Sequence, residues 1–158
     1  MADVSHLLEK VRTLSGSVES LTEGAARLRQ IRATVYENLN QIQHEYLIIR
    51  ALGWLQLNGF GGANLSWSWN PRQTGDASEL DLQARSAHEV VVSAEATTSE
   101  KPDGVIDSRM RNTLAKLSDM PGRKYYFVHT GAMAQRARTK AARNSWPIQV
   151  VQLDDTAV

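Results

Sequence analysis

The sequence predicts an α/β protein, a mixed sheet flanked by helices and preceded by a long N-terminal coiled-coil helix. Three observations predict it. Apolar residues recur at alternating spacings of four and three from Leu7 to Ile49, the signature of a coiled-coil seam. The pattern then changes to short alternating runs separated by glycine, proline and asparagine, which read as strands and turns. Helix-length segments fall between the later strands, giving the order α-β-β-β-α-β-α-β of a layered α/β sandwich.

With Leu7 at position d, the a and d residues are Leu7, Val11, Leu14, Val18, Leu21, Ala25, Leu28, Arg32, Val35, Leu39, Ile42, Tyr46 and Ile49. Arg32 alone is charged, and a charged a position fixes register at some cost in stability. Val at a and Leu at d in the first heptads favour two parallel strands. Gly16 and Gly24 fall off the seam, so each weakens the helix by roughly 1 kcal/mol without spoiling the interface. Two arrangements satisfy the seam: a pair of chains, or a helix folded back on itself within one chain. Pairing between chains is the expectation, with residues 1–38 as the dimerising helix and 39–158 as the α/β domain.

The helix is expected to stop at "LNGFGG", residues 57–62, where Asn58-Gly59 and Gly61-Gly62 terminate it. "NLSWSWN", residues 64–70, alternates as a strand and closes in a turn at residues 71–75. Strands follow at about 78–85 and 88–97, then a "KPDG" turn and a helix over 105–117. "RKYYFVHT" reads as a strand, 132–143 as a basic helix, and "PIQVVQL" as the last strand.

Composition narrows the chemistry. The chain has no cysteine, which excludes disulfides and thiolate metal sites. Its four histidines, His6, His44, His88 and His129, lack zinc spacing, whereas a hard, oxygen-ligated cation suits the available acids. No apolar run approaches the ~20 residues needed to cross a bilayer, and no signal-peptide apolar region opens the chain. A cytoplasmic protein is expected. The net charge of +1 conceals an asymmetry: residues 59–103 hold seven acids against three bases, and residues 120–153 hold six bases and no acid. An acidic centre beside a basic tail suits a metal-dependent enzyme acting on a polyanion, although bases also coat ordinary solvated helices.

The acids gather in "ELDLQARSAHEVVVSAEATT", residues 79–98. Alternation puts Glu79, Asp81, Gln83 and Arg85 on one strand face, and Val91, Ser93, Glu95 and Thr97 on the matching face of the next. A turn centred near Ala87 or His88 sets Glu95 across from Glu79 or Asp81, with Asp81 and Glu95 within ~8 Å. Facing carboxylates repel, and a divalent cation between them would remove that cost. Acids on a solvated sheet face are the plainer explanation of the same pattern.

"ELDL" followed by "VVVSAEAT", with Asp81 and Glu95 fourteen residues apart, resembles the PD-(D/E)xK nuclease superfamily, especially its resolvase-like members. The resemblance spans roughly residues 40–153 and implies a restriction-endonuclease-like αβββαβ core. By that resemblance Asp81 and Glu95 would ligate Mg²⁺ or Mn²⁺, with the Ala96 carbonyl as a further ligand. Glu45, in "QHEYLIIRALGWL", would be the acid of the first core helix, although it also occupies a heptad g position where glutamate is routine. The departure is Thr97, which stands where the family has its catalytic lysine and supplies a hydroxyl without charge. Lys101 lies on the same strand face but ~13 Å further along. Arg109, Arg111 and Lys116 on the next helix are alternative sources of the missing charge.

Arg136, Arg138, Lys140 and Arg143 on the last helix are candidates for contact with a phosphate backbone. Arg136, Lys140 and Arg143 share one face, while Ala134, Ala137 and Ala141 suit close packing. Trp67 and Trp69 point to one side of their strand as packing residues or, less simply, as base-stacking platforms. No histidine is placed to activate Ser93, and "GFGGAN" precedes a strand instead of a helix, so neither a serine hydrolase nor a phosphate loop is expected. The reading is a Mg²⁺-dependent DNA endonuclease acting on duplex or branched DNA as a homodimer. The alternative is a nuclease-like DNA-binding or regulatory dimer without catalysis.

Overall fold

The structure, a computed structural model, describes residues 2–70 and 79–153; the turn expected at residues 71–75 lies outside the described residues. The chain forms two compact units, Met1–Gln43 and His44–Val158.

In the first unit the single long helix of the sequence reading is two helices, α1 (Ala2–Leu14) and α2 (Leu21–Leu55). The interruption is "SGSVES", three serines and a glycine in six residues. Serine hydroxyls compete with the helix ladder for backbone groups, and glycine costs the most backbone entropy. Ser15 Oγ donates to the Arg12 carbonyl at 2.9 Å. At the restart Ser20 Oγ accepts from the Glu23 N–H at 3.2 Å, and Glu23 Oε2 accepts from the Glu19 N–H at 3.1 Å. That is a capping box displaced by one residue. Arg27 then ties the break to α2, donating to the Ser17 carbonyl at 3.1 Å while paired with Glu23 at 3.0 Å. Periodicity survived this break because Leu14, Leu21 and Leu28 stay in phase, and an apolar recess of about 450 Å³ opens among them.

In the second unit the C-terminal half of α2 buries His44, Leu47, Ile48, Ala51 and Leu55, one stripe at helical spacing. The helix ends in a wide turn, Gln56–Phe60, where Gly59 takes φ 105°, as "LNGFGG" foretells. A five-stranded sheet follows in sequential order: β1 (Leu65–Trp69), β2 (Leu82–Ser86), β3 (Glu89–Thr97), β4 (Arg123–Val128) and β5 (Ile148–Gln152). β1, β2 and β3 pair antiparallel, while β3, β4 and β5 pair parallel. The parallel pairs are joined by α3 (Gly104–Ser118) and α4 (Gly131–Arg143), as parallel strands require a crossover. The β2–β3 turn falls at Ala87 and His88, with Ala87 at φ 53°, and a bulge shifts the register at Ala84/Arg85. Gly122 leads into β4 at φ 77°, where a Cβ would stand 2.7 Å from the Val91 backbone; only glycine lets the strands close here.

Two cores lie on opposite faces of the sheet. Leu47, Ile48, Ala51 and Leu55 pack with Leu82, Ala84, Val92, Ala94, Tyr125 and Phe127, and Trp54 meets the rings of Tyr125 and Phe127 edge-on at 5.8 Å. Met110, Leu114 and Leu117 of α3 and Met133, Ala134 and Ala137 of α4 pack with Tyr126, Val128 and Val150. Trp67 packs against the first core, whereas Trp69 is half exposed. No helix among the described residues is long and apolar enough to cross a membrane.

A candidate carboxylate site at the open end of β2 and β3

The last β2–β3 pair is Leu82↔Ala94, so one further step of the register brings Asp81 opposite Glu95. The ladder stops there, and the Asp81 side chain takes its place. Asp81 Oδ2 accepts from the Ala96 N–H at 2.8 Å. Both polar groups of one residue leave an extended strand on the same edge, so the Ala96 carbonyl faces the Asp81 side too. Asp81 is held from behind by its own carbonyl, which accepts from the Asn70 N–H at 3.0 Å.

The other oxygen, Asp81 Oδ1, lies 3.3 Å from His44 Nε2. A carboxylate can only accept, so Nε2 donates this hydrogen bond. Nδ1 is buried without a hydrogen-bond partner among the described residues, an arrangement that costs stability. His44 extends the buried stripe of Leu47, Ile48, Ala51 and Leu55 by one turn. That stripe was the available signal, and the heptad count, which follows a different face of the helix, hid it. Glu45 is half-buried and does not line the pocket: one residue along a helix is a turn of about 100°.

Glu95 is buried and 2.7 Å from Lys116 Nζ, which also donates to the Glu79 carbonyl at 2.8 Å. Burial, then the Asp81 charge, pushes the Glu95 carboxyl up to about 7, against the opposing pull of Lys116. Beneath it, burial and the same two acids raise the Tyr126 phenol, which is hydrogen-bonded to Thr97. The Thr97 hydroxyl also donates to Ser99 Oγ at 3.2 Å. The Glu79 carboxylate is engaged elsewhere, accepting from Asn70 Nδ2 at 2.8 Å.

Asp81, Glu95, Ala96 and Thr97 thus line one pocket of about 280 Å³ with His44, Arg109 and others. Lys116 joins them through Glu95, while Lys101 and Arg111 are exposed and outside the lining. The basic helix is differently employed. Arg136 Nε and Lys140 Nζ lie 2.7 and 3.0 Å from Asp107 of α3, and the two bases, Arg136 foremost, hold the Asp107 carboxyl well below its ordinary range. Arg138 donates to the Val150 carbonyl at 3.3 Å, and Arg143 is exposed. Half of the expected phosphate-binding set therefore clamps α4 to α3.

The chain matches no family model, no curated protein and no solved structure. Its chemistry is read from the pocket itself.

Two hard carboxylates across an open strand end, with a backbone carbonyl on the same edge, suit a small divalent cation that keeps several waters. Burial, then the Asp81 charge, disfavours the ionised Glu95 against the pull of Lys116, and a cation between the carboxylates would relieve their repulsion. Among the described residues no three or more His, Cys, Asp or Glu side chains converge as ligands. An ion here would therefore take two protein carboxylates and the Ala96 carbonyl, with water completing its shell.

Proposed function

We propose that the chain is a Mg²⁺- or Mn²⁺-dependent DNA endonuclease of restriction-endonuclease-like fold, working as a homodimer. The observation that carries this is Lys116. The charge missing at Thr97 is supplied from α3, with Nζ 2.7 Å from Glu95. A cation delivered from another element does the same electrostatic work as one on the strand, provided it reaches the same point.

Asp81, Glu95 and the Ala96 carbonyl would hold the ion. When bound, such an ion activates water and neutralises phosphate charge. Water attacks phosphorus and gives up a proton to solvent as the new P–O bond forms, the P–O ester bond breaks, and the departing oxygen takes a proton from solvent. His44 and the Ala96 N–H keep Asp81 in one rotamer. Lys116 stabilises the negative charge that grows on the phosphate oxygens. Two copies related by a two-fold axis would present two such sites to two strands or two junction arms. Leu21, Leu28, Leu39, Tyr46 and Ile49 of the seam are exposed, which supports pairing through α2.

A second reading, a nuclease-like dimer that grips DNA without cutting it, draws on the commitment of Thr97 to Tyr126 and Ser99. Cleavage of supercoiled plasmid and branched DNA with Mg²⁺ or Mn²⁺ separates the two. Wild type should cut, and Asp81→Ala, Glu95→Ala and Lys116→Ala should each lose about 10²–10³-fold, the usual cost of one transition-state charge contact. Mobility shift without cutting by wild type would establish the second reading instead.

A further inference from the structure

α3 presents Arg109, Thr113 and Lys116 at spacings of four and three, which places them on one stripe of the helix. Arg109 and Thr113 line the pocket that Lys116 closes through Glu95. Lys116 is fixed by two hydrogen bonds. Arg109 is exposed and takes part in no ion pair among the described residues. Seven residues separate them, roughly 10 Å of helix axis, so a phosphate lodged at the carboxylates and Lys116 leaves Arg109 facing something further along. Thr98 and Ser99 line the pocket as well, adding polar groups at the end of β3. At about 280 Å³ the pocket is smaller than the 300–1,000 Å³ usual for a small-molecule site. Its polar lining, with Arg109, Thr113, Thr98 and Ser99, suits the oxygens of a sugar–phosphate backbone.

We propose that the Arg109 end of the pocket is a subsite for a second, non-scissile phosphate of the same strand. The inference rests on the phosphodiesterase reading above and gives that site a substrate class: a strand with at least two phosphates, gripped by its backbone. Contacts of this kind set register on the strand and carry no sequence information. The guanidinium fork suits the task because it meets two phosphate oxygens at once.

The test is binding of three short oligonucleotides, d(TpT), d(TpTpT) and 5′-phosphorylated d(TpT), with Ca²⁺ in place of Mg²⁺. Wild type should bind a two-phosphate probe about tenfold more tightly than d(TpT), the value of one charge-assisted contact. A gain with d(TpTpT) identifies an internal diester as the second group; a gain confined to the 5′-phosphorylated probe identifies a strand end. Arg109→Gln should abolish the gain and lower the salt slope of binding by about 1, while Arg111→Gln keeps both. Equal binding of all probes by wild type, or a gain that survives Arg109→Gln, overturns the subsite even where plasmid is cut. Failure of wild type to bind any probe or cut any DNA removes the nuclease reading and the subsite together.

Discussion

Glu95 is the residue whose environment has the most measurable consequence. Its carboxyl stands at about 7 in the folded chain against 4.5 as the reference value, by burial and the Asp81 charge. The folded state therefore holds a proton that the unfolded state has released between those values, and stability falls as pH rises from about 4.5 through 7. Thermal melts without divalent ions should show Tm dropping between pH 5 and pH 8, and Glu95→Gln should flatten that profile. Mg²⁺ should restore most of the loss at pH 8 and little at pH 5, since the ion displaces the proton. His44 makes the opposite kind of bet: it carries an unpartnered buried nitrogen and holds Asp81. His44→Leu removes the first cost and leaves Asp81 Oδ1 unpaired, effects of similar size, about 1–3 kcal/mol each. Tm should stay near wild type while cleavage falls at least tenfold; a collapse of Tm in proportion to activity would make His44 a packing residue.

At the scale of elements, α4 was read as a nucleic-acid surface, yet Arg136 and Lys140 are bound to Asp107. Asp107→Asn should free both. Melts should show a loss of stability that shrinks as salt is added, since exposed ion pairs are screened, and mobility shift should show tighter DNA binding if this face meets the backbone. Unchanged DNA affinity would leave α4 with a structural role. The alanine face, the strand alternation and the turn at Ala87 were all legible, because periodicity and turn chemistry are local. The partner of Lys116 was not. It was one base among several on α3, and which of them reaches Glu95 depends on the rotation of that helix on the sheet. The break at residues 15–20 was missed for the opposite reason: its serines and Gly16 were in plain view, but the heptad pattern continued in phase across them.

For the whole molecule the question is assembly. Leu28 is 67% and Leu39 42% exposed, and both are seam residues of a 35-residue helix, about 52 Å long. Leu28→Asp with Leu39→Asp should convert a dimer into a monomer by analytical ultracentrifugation, without lowering the Tm of the α/β unit. A wild type that sediments as a monomer would end the proposal of pairing through α2.

The bulge in the β2–β3 hairpin sets how much change in length this molecule tolerates. Near the turn Ser86 pairs with Glu89, and beyond the bulge Leu82 pairs with Ala94. Carried forward without that slip, the first register would set Asp81 against Ala94 and Glu95 against Leu80. One inserted backbone unit thus acts as a counting device, bringing the two acids into step only at the far end of the hairpin. Lineages descended from this chain should vary freely in the length of their exposed loops and hardly at all between Asp81 and Glu95. A single codon gained or lost there would dismantle the site while leaving both strands able to form.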